Sequence, residues 1–230
     1  MTKATAIVIG HTGGIGAAVF QTLQKSPVFD TVIGLGRNSE PQLDVLREAS
    51  VQSAAAWAKE QGGDIRLVFD ATGGLTIDGR KPEKGLKDID PDALAMSYAL
   101  NAIGPALLMK HFLPLLPRDG KAVFATLSAR VGSIGDNQLG GWYGYRASKA
   151  ALNQLVRTAA VEVSRRKPEA ICVALHPGTV QTPLTEGFAK SGLDVQSPDV
   201  AAGRILTVLD GLTSADTGGY FDHMGKPIPW

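Results

Sequence analysis

Short runs of apolar, often β-branched residues recur along the chain, each closed by glycine or a polar turn and followed by a stretch with apolar residues three and four apart. Ala4 to Ile9 is the first run. Gly10-His11-Thr12-Gly13-Gly14-Ile15-Gly16 breaks it, and Val19, Phe20 and Leu23 then keep a helical period. Further runs stand at Thr31 to Gly36, Ile65 to Phe69, Ala122 to Leu127 and Ala170 to Leu175, with a short last one at Gly219 to Phe221. The intervening pattern predicts four more helices. One runs from Ser50, as N-cap, to Glu60, with Gly62-Gly63 as its stop; a second from Pro91 to Leu116, interrupted at Gly104-Pro105; the others from Tyr143 to Arg165 and from Asp199 to Leu209. Runs this apolar are strands covered on both faces, and strands alternating with helices build a parallel sheet. The expectation is an α/β fold with a doubly wound, mainly parallel sheet, in a single domain spanning residues 1–230.

Composition narrows the partners. With 23 basic and 22 acidic side chains the net charge is +1, so there is no field to attract nucleic acid or a membrane surface. Cys172 is the one cysteine, which excludes an intrachain disulfide, and no apolar run reaches membrane-spanning length. The chain enters the first apolar run at Ala4, so no leader is expected before the fold. A cytoplasmic protein acting on a small molecule is expected. The four histidines are scattered without metal-ligand spacing.

Two stretches carry candidate chemistry. In the first, the glycine loop lies between a strand and a helix, where glycine permits positive φ and lets backbone N–H groups approach a pyrophosphate at the positive end of the helix. Gly10, Gly14 and Gly16 read as G-x-x-x-G-x-G, while Gly10, Gly13 and Gly16 read as G-x-x-G-x-x-G. Thr12 and Ile15 fall in the same loop as candidate cofactor contacts. At the end of the second strand stand Arg37 and Asn38. An arginine there pairs with a 2′-phosphate, whereas an acidic residue would accept from a 2′-hydroxyl, so NADP is expected over NAD. In the second stretch, Tyr145 and Lys149 lie at i and i+4 on one helix face. An ammonium beside a phenol lowers its pKa from about 10 toward neutrality, where it can give or take a proton. Tyr143 has Ala147 in the corresponding place.

Taken in order, the glycine loop, Arg37, Asp44, Gly73, Asn101, Ser128, Tyr145, Lys149, Pro177-Gly178 and Thr182 resemble the short-chain dehydrogenase/reductase (SDR) family in its single-domain, Rossmann-like form, over almost the whole chain. Gly135 to Trp142 resembles the loop of the C-factor-like and sniffer-like carbonyl reductases. The first glycine spacing is that of the single-domain members. The second is that of longer sugar-nucleotide-modifying relatives, whose added substrate domain this chain has no length for.

The resemblance implies an NADP-dependent oxidoreductase interconverting an aldehyde or ketone and an alcohol. Tyr145 would protonate the carbonyl oxygen, Ser128 would hydrogen-bond that oxygen, Lys149 would tune the phenol and hold the nicotinamide ribose, and Asn101 would order a relay water where the helix loosens near Gly104-Pro105. Ser133 is the rival serine. Asp44 would contact the adenine; Ala71, Thr72 and Gly73 would pass beneath the cofactor; Pro177, Gly178, Val180 and Thr182 would meet the nicotinamide. Residues 183–197 would cover the substrate, with Leu184, Phe188 and Leu193 either walling a pocket or packing down. A homo-oligomer, dimer or tetramer, is implied.

The chain also departs from the family. Only residues 38–41 separate the second strand from Gln42-Leu43-Asp44-Val45, which resembles the family's third strand, so no helix fits between them: either the connection is an abbreviated loop or Leu43 to Val45 barely counts as a strand, and the adenine pocket is expected to be open. Asp70-Ala71-Thr72-Gly73 stands where asparagines are usual, with Asp70 and Thr72 expected to supply turn hydrogen bonds. Ala129 follows Ser128, which lies 17 positions before Tyr145. His11 and His176 are read as structural, and Trp230 as closing the site or meeting another subunit. Two other readings are a non-catalytic NADP-binding sensor or signalling protein, and a nucleotide-sugar epimerase or dehydratase with tightly held NAD.

Overall fold

In the computed structural model, which describes residues 3–183, 185 and 195–230, the apolar runs become neighbouring strands. They are β1 (Ala4–Ile9), β2 (Thr31–Leu35), β3 (Asp64–Asp70), β4 (Ala122–Leu127), β5 (Ala170–His176) and β8 (Tyr220–Asp222), hydrogen-bonded in the order β2-β1-β3-β4-β5-β8. All five pairings are parallel. A second, two-stranded sheet joins β6 (Thr179–Val180) to β7 (Val195–Gln196).

Side-chain alternation along each strand explains the helices on both faces. Ile7 and Ile9 point into a core with α2 (Glu48–Glu60), α4 (Gly104–Phe112) and α5 (Tyr143–Ser164), whereas Ala6 and Val8 point into a second core with α1 (Gly14–Lys25) and α6 (Pro198–Gly211). The architecture is a doubly wound Rossmann-like α/β sheet. From β1 the chain passes outward to β2 and then back across to β3, so the carboxyl ends of β1 and β3 form the switch point where such sheets open a crevice.

The structure sharpens two expectations about elements and corrects a third, the cap at Ser50. Leu43 to Val45 is not a strand: Leu43 N donates to Gly36 O at 2.8 Å, and Leu43 and Val45 are buried against the α2 and α4 side of the sheet. Too few residues follow β2 to carry a crossover, so this segment packs as coil. Ser50 does not cap α2, which begins at Glu48; its hydroxyl donates to Gln42 O and accepts from Asp44 N, tying that coil to the helix. The long helix from Pro91 is divided into α3 (Pro91–Tyr98), a π-helical turn over Ala99–Ile103, and α4. Pro105 has no N–H to give to the carbonyl of Asn101, the acceptor an α-helix would assign it, and the winding widens there.

The start of α5 is held from outside the helix. Trp142, in the left-handed region (φ 53°), makes no side-chain cap bond, and the Glu83 carboxylate instead accepts from Gly144 N at 3.1 Å. Glu83 O also accepts from Trp142 N at 2.6 Å. A Cβ on Gly144 would lie 2.9 Å from Glu83 Oε1, so glycine is what lets the carboxylate reach the helix end. At the other end of the site, His176 faces His223 with ring centroids 6.5 Å apart, and both Nδ1 atoms are buried without a hydrogen-bond partner among the described residues. Burial, then the neighbouring His223 and Arg130, pushes the His176 imidazole down to about 4.

Replacing Glu83 by alanine should lower unfolding stability by about 1–2 kcal/mol in urea titrations, with Glu83→Gln retaining most of it, as for removal of a helix N-cap. An unchanged midpoint would remove Glu83 from this role. For His176, the unfolded imidazole takes its proton near pH 6.5 and the folded one near 4. Stability should therefore fall as pH drops through that window, by roughly 3 kcal/mol from this group. Thermal melts of His176→Asn between pH 7 and 4 should show a shallower slope; an identical slope would exclude the histidine as its source.

Candidate active site

The glycine loop sits at the switch point, and its geometry separates the two possible spacings. Gly10 has φ +82°, and a Cβ there would lie 3.2 Å from the Ala71 carbonyl. A Cβ on Gly16 would come within 2.2 Å of Gly10 O, and one on Gly14 within 2.5 Å of Thr182 Cγ2. Gly13 is different: its φ is −87° and the nearest atom to a Cβ is at 3.6 Å, an ordinary contact. Close packing thus falls on Gly10, Gly14 and Gly16, the first spacing. No side chain caps α1, so its first-turn N–H groups have no side-chain acceptor there. Thr12 is exposed and Ile15 half-buried at this end of the helix. His11 is structural: its Nδ1 lies 3.1 Å from Leu35 O and its ring packs edge-on against Phe20.

Arg37 and Asn38 are exposed just past β2. The Arg37 guanidinium has no hydrogen bond or ion pair among the described residues, while its carbonyl accepts from Gln42 Nε2. Asp44 is half-buried, with Oδ1 accepting from Leu46 N.

At the end of β3, buried Asp70 stands where the resemblance leads one to expect asparagine. Oδ1 accepts from Thr72 N (2.9 Å) and Thr72 Oγ1 (2.6 Å), and Oδ2 accepts from Thr126 Oγ1 (2.6 Å). Burial pushes its pKa up against these hydrogen bonds and the charge of Lys149. Ala71 N donates to Ile9 O, tying this turn to β1. Gly73 has φ +133°, and the space a Cβ would fill is 2.9 Å from Asn101 Oδ1 and 3.2 Å from Lys149 Nζ. Asn101, fully buried in the π-helical turn, is pinned in both directions: Nδ2 donates to Gly74 O and Oδ1 accepts from Gly74 N, each at 2.9 Å.

Lys149 is 3% exposed and donates to Leu127 O at 2.9 Å. Burial pushes its ammonium down to about 8, opposed by the Asp70 carboxylate. Nζ lies 5.9 Å from the centroid of the half-buried Tyr145 ring. The expected lowering of the tyrosine pKa is not found. Desolvation dominates and pushes the phenol up to about 12, because the ammonium donates to the β4 carbonyl and stands off from the ring.

The two serines differ in what they touch. Ser133 Oγ donates to Pro229 O and accepts from Asp136 N, so its hydroxyl is engaged in the wall of the molecule. Ser128 follows β4 directly, 4% exposed, and donates to Asn153 Oδ1 at 2.6 Å. Tyr220 OH donates to Ala129 O at 2.5 Å, beside Ser128 and Asn153, and Trp230 stacks on the Tyr220 ring. Past β5, Gly178 (φ +81°) lets Gln196 Nε2 donate to Pro177 O at 2.5 Å, Val180 is buried, and Thr182 N donates to Thr185 Oγ1. Leu184, Phe188 and Leu193 lie outside the described residues. A cavity of about 250 Å³ opens beside Tyr145, with Leu75, Ile77, Pro82, Met96 and Ser97 in its lining.

Asn153, Tyr220 and Glu83 belong to this region without having been singled out in the sequence. Asn153 had a signal: it follows Lys149 by four positions, a polar residue on a buried stripe. Tyr220 had none, since its contact is 91 positions distant.

A family model described as enoyl-(acyl carrier protein) reductase matches residues 15–210. The chain is similar to 1-hydroxy-2-glutathionyl-2-methyl-3-butene dehydrogenase of Rhodococcus sp. (strain AD45), 32% identical over 98% of this chain and 99% of that one. It is also similar to C-signal of Myxococcus xanthus, 37% identical over 63% of this chain and 83% of that protein. The structure of an NADPH-bound carbonyl reductase from chicken fatty liver superposes with a TM-score of 0.84 at 27% identity, covering 100% of this chain and 99% of that one. The carbonyl reductase Sniffer of D. melanogaster, at 22% identity, TM-score 0.82 and full coverage of both chains, shares the fold. Among the described residues no helix is long and apolar enough to cross a membrane. With this match over most of its length and this relative at full length, the chain belongs to the short-chain dehydrogenase/reductase family of oxidoreductases.

Proposed function

We propose that the protein is an NADP-dependent reductase of a small aldehyde or ketone, also able to run the reverse alcohol oxidation. The observation that carries this reading is the convergence of Lys149 Nζ and Asn101 Oδ1 on the Gly73 backbone, with Tyr145 one turn before the lysine on α5. The close-packed loop of Gly10, Gly14 and Gly16 and the uncapped start of α1 suit a pyrophosphate. Arg37, exposed at the strand end, suits a 2′-phosphate, in keeping with the NADPH of the chicken carbonyl reductase. In this reading Asn38, Asp44, Ala71 and Thr72 flank the adenosine half, and Pro177, Gly178, Val180 and Thr182 the nicotinamide half. Bound there, NADPH supplies a hydride.

The chain's own residues handle the oxygen and its proton. Tyr145, held protonated, donates to the carbonyl oxygen. Ser128 steadies the same oxygen as charge develops on it. Lys149, as the ammonium, offsets the phenolate left behind, and Asn101 orders the water through which the proton is replaced. The C-signal likeness favours a second reading, an NADP-binding signalling protein without turnover. For either reading we place the contact of a homo-oligomer on the outer face of α4 and α5, where a groove of about 560 Å³ includes Met109, Leu113, Leu155 and Ala159.

Tyr145→Phe should lower kcat for NADPH-linked carbonyl reduction by roughly 10²–10⁴, the usual worth of a positioned acid; stoichiometric NADPH binding with no turnover of a broad carbonyl panel by the unaltered protein would favour the signalling reading. Arg37→Asp should weaken NADPH about tenfold or more while sparing NADH, and equal loss of both would misplace the 2′-phosphate contact. Reduction should slow as pH rises through about 8, where Lys149 loses its proton; a kcat profile flat to pH 10 would remove its charge from the mechanism.

A further inference from the structure

A serine hydroxyl carries one proton. In this structure Ser128 gives it to Asn153 Oδ1 at 2.6 Å, which leaves none to offer a substrate oxygen. The other end of the same carboxamide is unmatched: Asn153 is 2% exposed, and its Nδ2 is buried without a hydrogen-bond partner among the described residues. The two ends of a carboxamide have nearly the same shape, so a half-turn about χ2 exchanges them and displaces nothing else. After that turn Nδ2 donates to Ser128 Oγ, a buried donor gains its acceptor, and the serine proton is released toward the crevice. The turned Oδ1 then lies beside the Tyr220 hydroxyl, whose one proton goes to Ala129 O in this structure and must swing from that carbonyl to Oδ1 for the turned amide to be matched at both ends.

We infer that Asn153 is a positioning residue of the reaction: its side-chain amide donates to Ser128 Oγ and thereby directs the serine's single proton to the substrate carbonyl oxygen. This rests on the reading of Ser128 as the carbonyl-binding serine. The placement on α5 suits the task, because Tyr145, Lys149 and Asn153 stand at i, i+4 and i+8, one stripe of a continuous helix. Proton donor, cation and serine-orienting amide are thus held in fixed relation by one rigid element.

The test is a double-mutant cycle of Ser128→Ala and Asn153→Leu, with 4-nitrobenzaldehyde as probe and NADPH affinity and melting temperature measured alongside. Ser128→Ala should lower kcat about 100-fold, as for loss of an oxyanion donor. Asn153→Leu should lower it about tenfold, leave NADPH affinity unchanged, and add no further loss in the Ser128→Ala background. An equal tenfold loss in both backgrounds, or none in either, overturns the inference. An unaltered kcat for Ser128→Ala instead removes the reading beneath it. Neutron diffraction from the deuterated protein supplies a readout independent of turnover and of how the leucine variant folds: amide deuterium directed from Nδ2 to Ser128 Oγ is expected, and a serine deuterium directed at Oδ1 overturns the inference.

Discussion

A lysine ammonium held almost out of contact with water at the carboxyl ends of the sheet sets the conditions its neighbours must meet. Burial disfavours the charged form, so the site must return what water would have supplied. Leu127 at the end of β4 gives a carbonyl, and Asp70 at the end of β3 gives an opposing charge. Asp70 is itself fully buried and is sustained by Thr72 beside it and Thr126 directly across the pairing of β3 with β4. Gly73 leaves the opening through which Lys149 and Asn101 come together, and a Cβ on Gly132 would lie 2.8 Å from Lys149 Cβ, so the chain leaving β4 closes on the lysine stem. One cation thus accounts for the residues at the ends of two strands and for two glycines.

That arrangement works only if α5 enters at a fixed height. Its inner stripe is set by packing, with Leu152, Val156 and Ala160 in the core, while its first turn is set by Glu83, 60 positions before Tyr143. Asn101 reaches the site by a comparable local irregularity. The wider π winding before Pro105 turns its side chain onto Gly74, where two hydrogen bonds hold it. Regular secondary structure supplies the distances here, and an interruption of it supplies the aim.

What could be read from the residues alone follows the range of the forces involved. Parallel strands buried on both faces announce themselves as apolar runs, and Tyr145 and Lys149 declare their proximity through helical spacing. Choices that depend on distant partners stayed open or went astray. The glycine spacing is resolved by what a Cβ would strike at Gly13 and Gly14, and the two serines are separated by Pro229, 96 positions beyond Ser133. Ser50 has the chemistry of a cap but bonds a coil that local sequence cannot locate. The pKa of Tyr145 runs opposite to its spacing because i, i+4 placement reports a nearby charge and says nothing of desolvation, which here has the larger effect.

That reversal bears on the direction of the chemistry. Burial acts on tyrosine and lysine in opposite senses on the pKa scale and in the same sense on charge: it favours a neutral phenol and a neutral amine. Asp70 breaks the symmetry by retaining the proton on Lys149. A protonated phenol then stands one helical turn from an ammonium, the state from which a proton can be given away. Once it leaves, phenolate and ammonium attract each other across a poorly screening medium, more strongly than the same pair in water. The desolvation that opposes ionising Tyr145 in advance therefore also strengthens the interaction that stabilises it after transfer. On the proposed reading, the phenol that is protonated at rest is the form that gives a proton to a carbonyl oxygen, and its phenolate is the form from which oxidation of the alcohol starts.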